Sequence, residues 1–138
     1  MKYIICIGNR LVPEDAAGGA VYDLLTRRLL PPGVAVVEGG LAGLNLLRYF
    51  DDAETVVLVD AVSGFTGENR VVVLTPDEII PLAAQCFDHG AGLPYLLGML
   101  PAVMEGPIPK TVIIGLEGPA DPALIEKAAQ LALQHVDS

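Results

Sequence analysis

Thr55-Val56-Val57-Leu58-Val59-Asp60 sets four Val and Leu residues in an unbroken row and ends them on a carboxylate. A strand that is apolar at every position, rather than at alternate ones, is covered on both faces, as in a parallel sheet between helices. Upstream, Tyr3-Ile4-Ile5-Cys6-Ile7-Gly8 repeats the pattern and predicts a strand over about 3–8. The acidic pair Glu14-Asp15 suits a helix start, with the helix at about 16–30 stopped by Pro31-Pro32-Gly33. A strand at about 34–38 runs into Glu38-Gly39-Gly40. The spacing of Leu41, Leu44, Leu46 and Leu47 predicts a helix over about 41–50 with these leucines on its buried face.

Downstream, Ser63–Asn69 is turn-rich and Arg70–Leu74 is a β-branched run. The link from 60 to 70 is too short for a helical crossover, so this strand is expected to pair antiparallel with the one before it. Thr75 is placed to cap a helix beginning at Pro76, and Ala91–Met104 is expected to be helical, with Pro94 in its first turn. Thr111–Leu116 is the last strand, and Asp121 caps a final helix from Pro122 to about Gln134. This alternation predicts an α/β fold, a three-layer α/β/α sandwich. Its sheet is twisted, mostly parallel and five-stranded, with one antiparallel strand. Residues 1–138 read as one domain.

The bulk numbers narrow the function. Hydrophobic residues are 52 % of the chain and charged residues 18 %, a composition for a packed core. Eight basic against 17 acidic residues leave a formal charge of −9 and no basic cluster, which argues against nucleic-acid binding. The first apolar run is too short for a signal peptide, and no stretch approaches about 20 apolar residues, so no membrane partner is expected. Two cysteines, Cys6 and Cys86, make no disulfide scaffold, and a reduced, cytoplasmic protein is the expectation.

In a parallel α/β sheet the carboxyl ends of the strands share one edge, and ligands bind there. Asp15 follows the first strand, Asp60 ends the third, and His89 sits in Asp88-His89-Gly90 between two helical stretches. Converging there, they would make an N/O site suited to zinc or nickel. Taken singly, each has a plainer role: a polar residue marks where a buried strand reaches solvent, and a lone histidine is more often structural. His135, in the last turn of the final helix, needs only a favourable dipole contact. Other chemistries fit poorly. No Gly-x-Gly-x-x-Gly follows the first strand, no Walker lysine appears, and Ser63 is not in a nucleophile elbow. Cys86 lies three residues before His89 but follows Leu82-Ala83-Ala84 as a core residue would.

Five motifs in order resemble the nickel-iron hydrogenase maturation proteases. They are Ile7-Gly8-Asn9 with Glu14-Asp15-Ala16-Ala17-Gly18; Glu38-Gly39-Gly40-Leu41-Ala42-Gly43; Val57-Leu58-Val59-Asp60-Ala61-Val62; His89-Gly90-Ala91-Gly92-Leu93; and Ile113-Ile114-Gly115-Leu116-Glu117. That family consists of small cytoplasmic endopeptidases that remove a C-terminal extension from the hydrogenase large subunit.

The resemblance implies an aspartyl-type endopeptidase in which Asp15, Asp60 and His89 contact the metal and carry catalysis, and Gly39 and Gly40 bind substrate. Glu14 stays beside Asp15 as the other acid of the first motif. The implied metal is nickel already inserted into the large-subunit precursor, with no permanently bound cofactor, although zinc or cadmium could occupy the site in vitro. A monomer acting on that precursor is expected. The chain departs from the family pattern in Ala16-Ala17 after the acids, in Cys86-Phe87-Asp88 before the histidine, and in Glu117-Gly118-Pro119 where relatives have Glu-Pro. Two other classes fit the same residues: a metal-dependent hydrolase of small molecules, and a non-catalytic α/β binding or chaperone module.

Overall fold

The computed structural model describes residues 1–137 apart from Ala42, Thr66, Gly67, Asn69 and residues 83–91. Among these, five strands form one sheet: β1 (Lys2–Ile7), β2 (Val34–Gly40), β3 (Thr55–Val62), β4 (Arg70–Leu74) and β5 (Lys110–Glu117). Their spatial order is β2-β1-β3-β5-β4. The first four in that order are parallel, and β4 runs antiparallel to β5.

β3 is central and buried along its whole length, as its unbroken apolar run requires. Both of its edges are taken, by β1 and β5. That corrects one expectation. The short link after β3 does reverse the chain, but β4 cannot pair with β3 and instead pairs with the outer edge of β5, Arg70 opposite Glu117.

Helices cover both faces. On one side α1 (Ala17–Thr26) and α5 (Pro122–Val136) pack on Ile4, Val57, Val59 and Ile114. On the other, α2 (Arg48–Asp51), α3 (Pro76–Ile79) and α4 (Gly92–Val103) cover Ile5, Ile7, Leu58 and Ile113. Strand residues alternate between these two cores, as a pleated strand demands.

The caps follow the sequence. Asp121 accepts the Leu124 N–H at 2.9 Å. Thr75 and Glu78 form a reciprocal capping box at the start of α3. In α1, a Cβ at Gly18 would lie 1.9 Å from the Ile7 carbonyl oxygen, so the helix sits directly on the end of β1 only because position 18 has no side chain.

The expected helix over 41–50 is shorter and turned. A 3-10 segment, Leu44–Leu47, leads into the single turn of α2. The buried residues are Leu46 and Phe50, whereas Leu41 and Leu44 are 62 % and 46 % exposed. Helical spacing had grouped all four leucines, but Leu41 precedes the 3-10 segment, and the tighter turn sets Leu44 and Leu46 on different sides. α1 likewise stops at Thr26, leaving Leu29 exposed.

Candidate active site

The order β2-β1-β3 places the successors of β1 on opposite sides of it. The ends of β1 and β3 therefore flank the point where the winding reverses, and such points open a crevice. Two of the three predicted residues sit there.

Asp15 closes a short 3-10 turn, Pro13–Asp15, that packs against β3. It is only 1 % exposed. The loop folds onto it: the Asn9 N–H donates to Asp15 Oδ2 at 2.6 Å, and the Asn9 side chain accepts the Leu11 N–H at 2.9 Å. Gly8 has φ +150°, and a Cβ there would lie 2.3 Å from the Asp15 carbonyl oxygen. The glycine is thus the condition for bringing the acid back under the end of β1.

Asp60 lies in the last turn-ward part of β3, one residue past the Cys6–Val59 pair, and is also 1 % exposed. Its Oδ1 accepts the Ala61 N–H at 2.8 Å. It shares a strand face with Leu58 and Val62, which belong to the core under α4. His89 and Cys86 lie outside the described residues. Among the described residues no three His, Cys, Asp or Glu side chains gather as a metal site.

The two acids of the first motif separate clearly. Asp15 is buried and held by Asn9, whereas Glu14 is exposed and lines a cavity of about 400 Å³ with Ala61 and Val62. A third carboxylate, which the sequence reading assigned no role, is buried at the same edge. Glu117 ends β5 opposite Val62, is 6 % exposed, and accepts the Phe65 N–H at 2.9 Å, tying down the chain that leaves β3. Its signal in the sequence was the one that singled out Asp60: an acid ending an apolar strand.

Gly39 and Gly40 end β2 beside the same crevice. Gly40 accepts the Gly8 N–H at 2.8 Å and lines a second hollow, about 350 Å³, with Asn9, Arg10, Glu38 and Leu41. Gly39 instead faces the core, where a Cβ would meet Ile5 Cγ2 at 2.8 Å. Arg10 braces the region. Its guanidinium bonds Asp23 at 2.8 and 2.9 Å and Glu38 through Nε, and lies 5.9 Å from the Tyr22 ring centre. Asp23 and Glu38 hold Arg10 more firmly in its charged form, and hydrogen bonding from Arg10 pulls Asp23 below the usual carboxylate range. Burial, reinforced by Glu38, pushes the Cys6 thiol far above its usual value, so it is an inert core group.

Residues 20–132 match the family model described as hydrogenase maturation protease. The chain belongs to that family. The match contains Asp60 and His89 and begins after Asp15. Among curated relatives, the hydrogenase 2 maturation protease of Escherichia coli K12 is 27 % identical over 94 % of this chain and 87 % of its own length. Among solved structures, the hydrogenase maturating endopeptidase HybD from E. coli has the same fold, with a TM-score of 0.82, 24 % identity, and coverage of 99 % of this chain and 93 % of that one. The solution structure of an E. coli endopeptidase gives a TM-score of 0.76 at 26 % identity, over 98 % and 93 % of the two chains.

This hydrogenase maturation protease is therefore a peptidase, and the mostly parallel sheet with one antiparallel edge strand is the family's fold. No helix among its described residues is long and apolar enough to cross a membrane.

Proposed function

We propose that this peptidase removes the C-terminal extension of a nickel-iron hydrogenase large-subunit precursor after nickel insertion. Asp15, Asp60 and His89 would complete the coordination of nickel that the precursor carries. The observation behind this is the burial of Asp15 and Asp60, each 1 % exposed, with Asp60 near the end of β3 and Asp15 in the turn that folds back against the end of β1. Burying a carboxylate costs several kcal/mol after relaxation, and such groups are kept where chemistry uses them. A divalent ion arriving with the substrate offsets that cost, and carboxylate and imidazole ligands suit nickel.

The chemistry needed is hydrolysis: water adds to the scissile carbonyl, the C–N bond breaks, and the amine leaves with a proton. Nickel beside that bond would polarise the carbonyl or lower the pKa of the attacking water. The protein contributes position. Asp15 is fixed by Asn9 and the Gly8 turn, and Asp60 by the backbone of Ala61. Gly40 leaves the end of β2 free of a side chain where the substrate segment would enter, and Gly39 would act through the backbone, its side-chain position facing the core.

In this scheme the isolated protein works as a cytoplasmic monomer with no resident metal, and zinc or cadmium would bind only as a weak substitute for nickel. A site built to read another protein's metal lacks the closed ligand set of a structural zinc centre.

A processing assay tests it. The purified protein is mixed with nickel-loaded and nickel-free precursor, and the C-terminal mass loss is read by mass spectrometry. Cleavage of the loaded precursor alone, lost in Asp60→Asn and His89→Ala, is the expected result. Equal cleavage of both precursors would remove the nickel-reading step, and cleavage of neither would remove the proposed substrate. Stoichiometric zinc surviving dialysis against a mild chelator would contradict the metal-free resting state.

A further inference from the structure

The sheet ends on β2 at one side and on β4 at the other, and the two edges are built differently. β4 has five residues, opens on exposed Arg70 and is followed at once by Thr75-Pro76. A short strand with a charge on it and a proline after it resists pairing with another chain. β2 has seven residues, Val34–Gly40, with no lysine, arginine or proline among them. Its register with β1 runs unbroken from Val34 to Glu38 and shifts only beyond that point. An edge this long and regular is a template for a further strand.

The pairing with β1 fixes which main-chain groups face outward. The Lys2 N–H donates to the Gly33 carbonyl at 2.8 Å, and Lys2 stands opposite Val34. In a parallel pair that bond sets the alternation: Ala35 and Val37 turn their N–H and C=O towards β1, while Val36 and Glu38 turn theirs away. Among the described residues no main-chain or side-chain group takes up these outward groups of Val36 and Glu38. The side chains are already committed. Val36 packs on the core under α1 and Val37 on the opposite core, and Arg10 holds the Glu38 carboxylate. What this edge offers is main chain, one donor and one acceptor from each outward residue.

The edge also leads to the chemistry. Glu38 and Gly40 line the hollow at the end of β2 together with Asn9, whose N–H holds Asp15. A second copy of the chain paired at this edge would cover that hollow and shut the route, whereas a substrate segment would use it. We infer that the outer edge of β2 captures the C-terminal extension of the precursor as an added strand, hydrogen-bonded to the main chains of Val36 and Glu38. The inference rests on the proposed cleavage of that precursor and adds how the segment beyond the scissile bond is held. β2 runs towards the site and the extension runs away from it, so the added strand is antiparallel to β2. Adding a strand to a free edge takes its affinity from main-chain bonds.

The probe is a synthetic peptide with the sequence that wild-type processing releases, identified by mass spectrometry. It should inhibit processing competitively. In hydrogen exchange followed by NMR, the Val36 and Glu38 amides should slow by about tenfold or more when the peptide is bound. The Ala35 and Val37 amides, already bonded to β1, should not change. N-methylation of every second peptide residue should then depend on parity. One set should weaken inhibition by about tenfold or more, and the other should leave it within about twofold.

Val36 and Glu38 amides that exchange equally fast with and without peptide overturn the inference. So does a peptide that fails to inhibit, or inhibition indifferent to which set is methylated. Protection of both amides in the free protein, lost on dilution as a dimer dissociates in sedimentation, assigns the edge to a second copy and overturns it as well. Failure of the wild-type protein to cut the nickel-loaded precursor is a different result. It overturns the proposed substrate, and capture of the extension falls with it.

Discussion

Gly8 and Asp15 occupy one another's space: the position a Cβ would take on Gly8 lies 2.3 Å from the Asp15 carbonyl oxygen. The obstacle is backbone, so no rotamer change relieves it, and φ +150° at residue 8 is itself unfavourable for a residue with a side chain. Gly8→Ala should therefore destabilise the protein by about 3 kcal/mol, from strain and overpacking together. It should also displace the turn that carries Asp15. The expected outcome is a lower urea midpoint with an unchanged slope, plus loss of precursor processing. A variant as stable as wild type would show that the turn can re-form without the close contact.

Asp60 should show the opposite balance. Its Oδ1 accepts the Ala61 N–H, a bond that an asparagine Oδ1 can keep. A buried amide costs less to desolvate than a buried carboxylate. Asp60→Asn should therefore unfold within about 1 kcal/mol of wild type, or later, while processing falls by about 100-fold or more through loss of the charge. Thermal unfolding and the processing assay on the same sample check both halves. A large loss of stability would make Asp60 a structural acid.

Most of the fold was legible because it rests on local signals. The unbroken apolar run at Val56–Val59, the stop at Pro31-Pro32-Gly33 and the cap at Asp121 each act within a few residues. The partner of β4 was not local. It depends on β5, which arrives some forty residues later and takes the edge of β3 first, in space if not in sequence. The leucines after Gly40 misled for a related reason: helical spacing does not distinguish a 3-10 turn, in which Leu46 is buried and Leu44 exposed. Of the proposed site residues, Asp60 stood out as an acid at the end of an apolar run, which is rare and costly, and Asp15 as an acid in the loop that follows the first strand. Glu117 carried the same signal as Asp60. That Asp15 rather than Glu14 is the buried acid took three dimensions, since the turn decides which of two adjacent acids is covered.

The Arg10 bridge gives a pH signature. Hydrogen bonding from Arg10 lowers the pKa of Asp23 in the folded protein. A group whose folded pKa is depressed stabilises above its unfolded value, about 3.9 for aspartate, and that contribution disappears as pH falls through the lower folded value. Arg10→Met should therefore be less stable than wild type at pH 7, by under about 1 kcal/mol because both partners are substantially exposed. The gap should close progressively below about pH 4. Paired thermal melts across pH 3–7 would show it. A gap constant with pH would assign the bracing to stacking on Tyr22 rather than to charge.

Leu41 and Phe50 separate substrate contact from core. Phe50 projects from α2 into the core over Ile5 and Leu58 and is fully buried, and Phe50→Ala should cost about 3–5 kcal/mol, the usual range for a buried aromatic. Leu41 is 62 % exposed and lines the hollow shared with Gly40 and Asn9. Leu41→Ser should leave stability within about 0.5 kcal/mol of wild type. An exposed leucine beside the proposed entry for the substrate segment has a purpose if it meets apolar surface on the precursor. Its loss should then raise KM for processing several-fold while kcat is kept, because the contact is made equally in the ground and transition states. Initial rates across precursor concentrations decide it. A fall in kcat at constant KM would place Leu41 in support of the catalytic geometry, and no change in either would leave its exposure without a role in processing.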